Sequence, residues 1–116
     1  MSQASDDNLT QRKCLPCEGG TEPLGRDRIE KLLPQTAGWQ VDDDGKKIYR
    51  RFEFKGFYKT MAFINAMAWI ANQEAHHPDF SVGYNFCLVN FTTHAIDGLS
   101  ENDFICAAKL NALLDE

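Results

Sequence analysis

Long apolar runs are absent from this chain of 116 residues. No stretch approaches the roughly 18 residues that a membrane-spanning helix needs. The first seven residues, Met1 to Asp7, also lack the positive charge and the apolar core of a secretory signal. We therefore expect a cytoplasmic protein with no membrane partner, whose cysteines stay reduced.

Positive charge is scarce as well, since 12 Lys and Arg residues face 17 Asp and Glu residues and the net charge is −5. The short basic pairs Lys46-Lys47 and Arg50-Arg51 have acidic neighbours, so no basic stripe runs along the chain. Contact with nucleic-acid phosphates depends on such a stripe. We expect no nucleic-acid partner. There is no internal repeat, and the length fits one domain.

Cysteine occurs four times. Cys87 and Cys106 stand within apolar patterns, which predicts two small buried hydrophobic side chains. Cys14 and Cys17 form a Cys-x-x-Cys pair, which supplies half of a zinc site. We interpret this pair as incidental thiols; the alternative is a zinc site completed by histidines or by a second chain.

The N-terminal part of the chain differs in composition from the rest. Residues 1–23 are polar and contain Gly19-Gly20 and two prolines, which predicts a flexible leader. Residues 24–116 are then a single domain. An apolar face over Leu24 to Leu33 predicts its first helix.

The remaining elements follow from periodicity and turn signals. Asp43-Asp44-Gly45 predicts the turn of a hairpin, and the spacing from Phe57 to Ala75 predicts a long helix. Asp79 to Ala95 alternates like two strands with a turn near Gly83–Phe86. Ser100 and Asp103 predict the start of a last helix, with Ser100 as its N-cap. The order α-β-β-α-β-β-α predicts an α+β fold, with a four-stranded antiparallel sheet and three helices on one face.

All the histidines of the chain lie between residues 76 and 94. Histidine gains or loses a proton near neutral pH, so we expect proton chemistry in this region. His76 and His77 stand where the long helix ends, directly before Pro78, and His94 follows a strand. Helix ends and strand ends meet at the rim of such a sheet. We therefore expect the three imidazoles to share a cleft, with Asp103 arriving from the next helix.

Chemistry alone leaves several interpretations open. The histidines could be general acids and bases around a small substrate. They could be structural, with His76 or His77 capping helix carbonyls. Zinc ligation is disfavoured, because adjacent histidines rarely bind one metal. Asp103 could cap its helix, orient His94 or contact a substrate, and Glu74 could simply be solvated.

A spaced motif extends this constellation. It consists of His76-His77-Pro78, Tyr84, Thr93-His94, Gly98-Leu99-Ser100 and Asp103. The motif resembles that of the pterin-4a-carbinolamine dehydratase family, and the resemblance covers about residues 24–114. It implies dehydration of 4a-hydroxytetrahydropterin to quinonoid dihydropterin, which recycles the cofactor of aromatic amino-acid hydroxylases. It also implies that the pterin is the substrate, with no metal and no other cofactor.

The resemblance assigns roles by position. It implies that His76 and His94 are the main acid/base pair, and that the third catalytic histidine, His77, mostly holds the pterin. The other residues expected to bind substrate are Pro78, Asp103 and Glu74. Family members form homodimers or homotetramers, and a functional link to a hydroxylase is implied.

One position departs from the family pattern. Glutamate is common four residues before the first histidine, where this chain has Asn72. Glu74 would replace that glutamate only if the helix end is distorted. The departure motivates an alternative function, a non-catalytic binding module that acts through protein partners.

Overall fold

The computed structural model describes residues 8–15 and 21–114. Its helices and strands, in chain order, are α1 Arg26–Leu32, β1 Gln40–Val41, β2 Ile48–Glu53, α2 Phe57–Glu74, β3 Asp79–Val82, β4 Phe86–Phe91 and α3 Glu101–Ala112. Short 3₁₀ turns cover Leu9–Gln11, Leu33–Gln35 and His94–Ile96. The order of helices and strands confirms the predicted α-β-β-α-β-β-α arrangement.

The strands form one antiparallel sheet in the order β1-β2-β4-β3. The two central strands pair along their whole length, from Ile48 opposite Phe91 to Glu53 opposite Phe86. The Gly83 N–H donates to the Phe86 carbonyl at 3.0 Å and closes the turn between β3 and β4. The turn thus lies where the sequence predicts it.

One face of the central strands is buried beneath the helices. Ile48 and Phe52 are buried on β2, whereas Arg51 and Glu53 are exposed. On β4 the buried residues also alternate: Cys87, Val89 and Phe91. Since side chains alternate across a sheet, the buried set belongs to one face. It shares a core with apolar residues of all three helices, which confirms the predicted α+β architecture.

α2 is the longest helix and begins and ends within a residue of its predicted bounds. Its buried residues follow helical spacing, with Phe63, Met67 and Ala71 toward the sheet. Trp69 and Tyr58 are exposed on the other side. Within the described ranges, no helix is both long and apolar enough to cross a membrane.

Buried thiols confirm the interpretation of two cysteines. Cys87 and Cys106 are inaccessible to solvent and belong to the core. Burial raises the pKa of the Cys87 thiol to about 11, so this group stays protonated and packs as a small apolar side chain.

Part of the N-terminal segment also packs on the domain. Leu9 is buried in the core beside α3, and the Lys109 ammonium donates to the Thr10 carbonyl at 3.1 Å. Within the predicted leader, residues 8–15 therefore make defined contacts with the domain. Residues 1–7 and 16–20 of the predicted leader lie outside the described residues.

Phe52 occupies the centre of the aromatic core. Its ring centroid is 4.5 Å from that of Phe63 on α2 and 5.9 Å from that of Trp39. Trp39 in turn lies 5.7 Å from Phe91. The Phe52 ring therefore joins β2 to α2 and, through Trp39, to Phe91 on β4.

We expect Phe52→Ala to lower the free energy of unfolding by about 3–5 kcal/mol, because truncation loses apolar burial and leaves a cavity. The milder Phe52→Leu variant should lose about 1–2 kcal/mol. Urea unfolding followed by circular dichroism measures both. Tyr58→Ala, at a side chain that is 89% exposed, is the control and should change stability by less than about 0.5 kcal/mol. Equal losses at Phe52 and Tyr58 would contradict this packing.

Candidate active site

A cavity of about 590 Å³ lies where the end of α2, the end of β4 and the start of α3 meet. The side chains and backbone of four segments line it: Cys14, Leu15, Gln73, Glu74, Ala75, His76, His77, Thr92, Thr93, His94, Ala95 and Asn102. This volume falls in the range of small-molecule sites, roughly 300–1,000 Å³. The structure thus brings together the three histidines that the sequence places near one another, and their roles stay predictions.

A left-handed turn ends α2 and sends the histidine pair away from the helix axis. Ala75 has φ 53° and ψ 39°, and the His76 N–H donates to the Ala71 carbonyl at 3.1 Å. This six-to-one bond is typical of helix C-termini that usually place glycine in the left-handed position. An alanine there costs roughly 1 kcal/mol. This strained residue directly precedes the two histidines, and strained backbone conformations are often found at functional sites.

The ring of His76 is held from two sides. Its Nε2 lies 2.6 Å from Oδ1 of Asp103, and its plane lies within 10° of the Phe91 ring at a centroid distance of 5.7 Å. A carboxylate only accepts hydrogen bonds, so the Nε2–H of His76 donates to it. Nδ1 is therefore the ring nitrogen that this hydrogen bond leaves uncommitted.

Asp103 is completely buried and joins three elements. Its Oδ2 accepts hydrogen bonds from the Ser100 N–H at 2.9 Å and from the Thr93 hydroxyl at 2.8 Å. The first is the carboxylate half of the capping box that the sequence predicts at the start of α3. Asp103 orients His76 rather than His94. It is not among the described lining residues of the cavity, and its expected role in binding substrate stays a prediction.

His94 enters the cavity from a tight turn after β4. The turn is closed by the Thr93 N–H, which donates to the Gly98 carbonyl at 2.9 Å. Asp97 adopts a left-handed conformation with φ 53°, and its carboxylate lies 3.1 Å from the Lys46 ammonium. The backbone of His94 is thereby fixed, whereas its side chain is exposed at the cavity.

The Glu74 carboxylate is engaged by the N-terminal segment. Its side chain is 6% exposed, its Oε1 accepts the Cys14 N–H at 2.8 Å, and its Oε2 lies 3.5 Å from the Lys109 ammonium. Burial alone would raise the pKa of Glu74, but the Cys14 hydrogen bond and the charges of Lys109 and Lys13 outweigh it and lower the pKa. Glu74 is therefore not a solvated surface group. It lines the cavity with both oxygens already in use.

Two other positions singled out in the sequence, Pro78 and Asn72, are not among the residues described as lining the cavity. Pro78 is half-buried and is not among the described lining residues, although it was expected to bind substrate. The Asn72 side chain is exposed on α2, also outside that lining. Conversely, Cys14, Leu15 and Asn102 line the cavity without having been predicted to do so. Only the Cys-x-x-Cys pattern drew attention to any of them.

Among residues 8–15 and 21–114, no three His, Cys, Asp or Glu side chains lie close enough together to hold a metal ion. Cys17, half of the zinc alternative, lies outside the described residues. Cys14 instead contacts Cys106, with 3.5 Å between the sulfur atoms.

The sequence profile described as pterin 4 alpha carbinolamine dehydratase matches residues 22–113. The chain belongs to this family. The resemblance noted from the spaced motif is thereby confirmed, and membership makes the protein a dehydratase, in the class of hydro-lyases.

Curated relatives match nearly the whole chain. A Nitrosomonas eutropha protein named “Putative pterin-4-alpha-carbinolamine dehydratase” is 59% identical over 108 residues, which cover 92% of this chain and 94% of that protein. A protein of the same name from Legionella pneumophila strain Corby is 55% identical over 108 residues, covering 92% and 96%.

Solved structures share the fold. The crystal structure of a transcriptional coactivator/pterin dehydratase from Brucella melitensis superposes with a TM-score of 0.77 at 32% identity, covering 81% of this chain and all of that one. A pterin dehydratase-like RuBisCO assembly factor of the alpha-carboxysome has a TM-score of 0.59 at 21% identity, covering 68% and 92%. The latter likeness concerns the fold alone.

We expect the charge of Glu74 to stabilise the fold in a pH-dependent way. Because its pKa is lower in the folded chain than its ordinary value of 4.5, the stabilisation is complete above that value and is lost as the pH falls through the folded value. Glu74→Gln should lower the free energy of unfolding by about 1–3 kcal/mol near neutral pH, and by less in acid.

Urea unfolding at neutral pH and at a pH below the folded pKa of Glu74 checks this expectation. Glu30→Gln, at an exposed residue of α1, is the matched control. A loss in Glu74→Gln that is equally large at both pH values would show that the charge is not responsible.

Proposed function

We propose that this protein removes water from a 4a-hydroxytetrahydropterin to give quinonoid dihydropterin, and that the reaction returns the cofactor of aromatic amino-acid hydroxylases for reduction. The observation that carries the proposal is the convergence of His76, His77 and His94 on one cavity in a chain of this family. The cavity has room for a flat two-ring heterocycle and side chains that exchange protons near neutral pH.

The reaction consists of two proton transfers around one bond cleavage. A base takes the proton from N5 of the pterin, and that electron pair forms the C4a=N5 double bond. The C4a–O bond breaks, and an acid protonates the departing hydroxyl, so that water leaves. A positioned acid or base typically contributes about 10²–10⁴ in rate. The proposed chemistry uses only the pterin substrate and side chains, without a metal or another cofactor.

His76 is suited to be the base in this scheme. Its Nε2–H is committed to Asp103, which leaves the Nδ1 lone pair available to the ligand. As Nδ1 takes a proton the ring becomes positive, and the buried carboxylate of Asp103 stabilises that charge. A carboxylate that holds and balances a catalytic imidazole acts in the same way in hydrolase triads.

His94 and His77 take the remaining roles. His94 approaches the cavity from the turn after β4, a different element from the α2 end that carries His76. It can therefore protonate the leaving hydroxyl while His76 takes the N5 proton. His77, exposed beside the cavity, holds and orients the pterin.

We also propose that the protein acts in the cytoplasm as a homodimer or homotetramer. β3 is an edge strand, and all four of its residues, including Phe80 and Val82, are exposed. Free backbone groups beside apolar side chains favour pairing with another strand, and a second copy of the chain supplies one.

We expect His76→Ala and His94→Ala each to lower kcat by about 10²–10⁴, because each variant lacks one proton-transfer group. His77→Ala should act mainly on KM, since this histidine is proposed to bind rather than to transfer protons. Turnover of a freshly generated 4a-hydroxy adduct measures all three, and circular dichroism verifies that each variant is folded. Undiminished turnover in both His76→Ala and His94→Ala would exclude the acid/base assignment.

The alternative, a binding module without activity, is motivated by Asn72. It predicts negligible turnover by the wild-type protein together with a stable complex in a pull-down. Robust turnover with no recovered partner would exclude it. The dehydratase is preferred because His76 is placed for chemistry, with one nitrogen bound to a buried carboxylate and the other left for a ligand.

A further inference from the structure

Leu15 has a solvent-exposed apolar side chain at the rim of the histidine cavity. It is 69% exposed and lines that cavity. Both of its backbone groups are bound by a single side chain: the Leu15 N–H donates to Oδ1 of Asn102 at 3.0 Å, and Nδ2 of Asn102 donates to the Leu15 carbonyl at 2.6 Å. A single exposed leucine is common, but this one is fixed in position by a buried amide.

Cys14, the neighbouring residue, is fixed by separate contacts. Its N–H donates to Glu74, and its thiol lies 3.6 Å from the Asn102 carbonyl and 3.5 Å from the sulfur of Cys106. Cys14 and Leu15 together, here called the N-terminal wall, are thus bound by α2 and α3 rather than by their own segment.

The same two elements that hold the N-terminal wall also hold His76. On α3, Asn102 binds Leu15, and the next residue, Asp103, binds His76. At the end of α2, Glu74 binds Cys14 and stands two residues before His76. The positions of the wall and of the imidazole are therefore fixed relative to each other across the cavity.

The N-terminal wall lies outside the part of the chain that the family profile matches, which begins at residue 22. The histidines and Asp103 lie inside it. The residues proposed to transfer protons thus belong to the region that the profile matches, whereas the N-terminal wall lies before it.

We propose that Cys14 and Leu15 contact the bound pterin and set its affinity, with Glu74 and Asn102 as positioning residues that hold them there. This inference rests on the proposed function, because it names the pterin as the occupant of the cavity. A ligand seated against the histidines would exclude water from the Leu15 side chain, and that burial would favour binding without contributing to proton transfer.

The first experiment measures steady-state kinetics of Leu15→Ala with a freshly generated 4a-hydroxy adduct. Loss of apolar contact should raise KM about three- to tenfold, while kcat stays within about twofold because the lost contact is uniform binding. Leu113→Ala, at an exposed leucine after α3 and away from this cavity, is the matched control and should keep wild-type kinetics.

The second experiment needs no turnover. Alkylation of Cys14 is followed by peptide mass spectrometry, which counts Cys17 separately, with and without the non-reacting analogue 7,8-dihydrobiopterin. The analogue should slow alkylation of Cys14 severalfold. Glu74→Ala should speed alkylation in the absence of analogue, because the wall loses its anchor. Glu74→Gln keeps an oxygen for the Cys14 N–H and should restore much of the protection.

The outcomes separate this inference from the proposed function. Suppose that Leu15→Ala keeps the wild-type KM and the analogue leaves Cys14 alkylation unchanged, while His76→Ala still lowers kcat by about 10²–10⁴. The proposed role of the N-terminal wall is then wrong, and the dehydratase function stands. If the wild-type protein neither converts the adduct nor binds the analogue, the proposed function is wrong. The proposal that the N-terminal wall contacts the pterin is then wrong as well.

Discussion

The arrangement of the site depends on one buried carboxylate, that of Asp103. It accepts hydrogen bonds from the N-terminus of α3, from the Thr93 hydroxyl at the end of β4 and from the His76 ring after α2. Burying a carboxylate without such donors would be costly, so the three elements are bound together at this point. Because one of the three donors is His76, the same interaction that joins the elements also engages Nε2 of that imidazole.

The positions of most helices and strands could be predicted because they depend on patterns among neighbouring residues. Alternation along β4, the helical spacing of α2 and the Ser100–Asp103 pair are properties of neighbouring residues, and each element formed where these properties placed it. The clustering of the histidines followed from their positions at element ends. Orienting His94 was one of three roles that the sequence left open for Asp103, whereas packing of α3 against the end of α2 brings its carboxylate to His76.

The N-terminal side of the site could not be predicted for a different reason. The contacts of Cys14 and Leu15 reach Glu74 and Asn102, which are 60 and 87 residues away in sequence. No local pattern encodes such partners, and a polar segment with prolines and glycines reads as a leader. Leu9 packs on the core, but a single apolar residue in a polar segment is too weak a signal to predict that packing from the sequence.

In the proposed mechanism one part of the cavity transfers protons and another binds the pterin, and proton transfer depends on which nitrogen of His76 carries the proton. The most direct test is a ¹⁵N nuclear magnetic resonance spectrum of the histidine rings at a pH where imidazole is neutral. It should show His76 with its proton on Nε2 and with an Nδ1 signal that shifts when 7,8-dihydrobiopterin is added. A proton on Nδ1, or an Nδ1 signal indifferent to the pterin, would contradict the account.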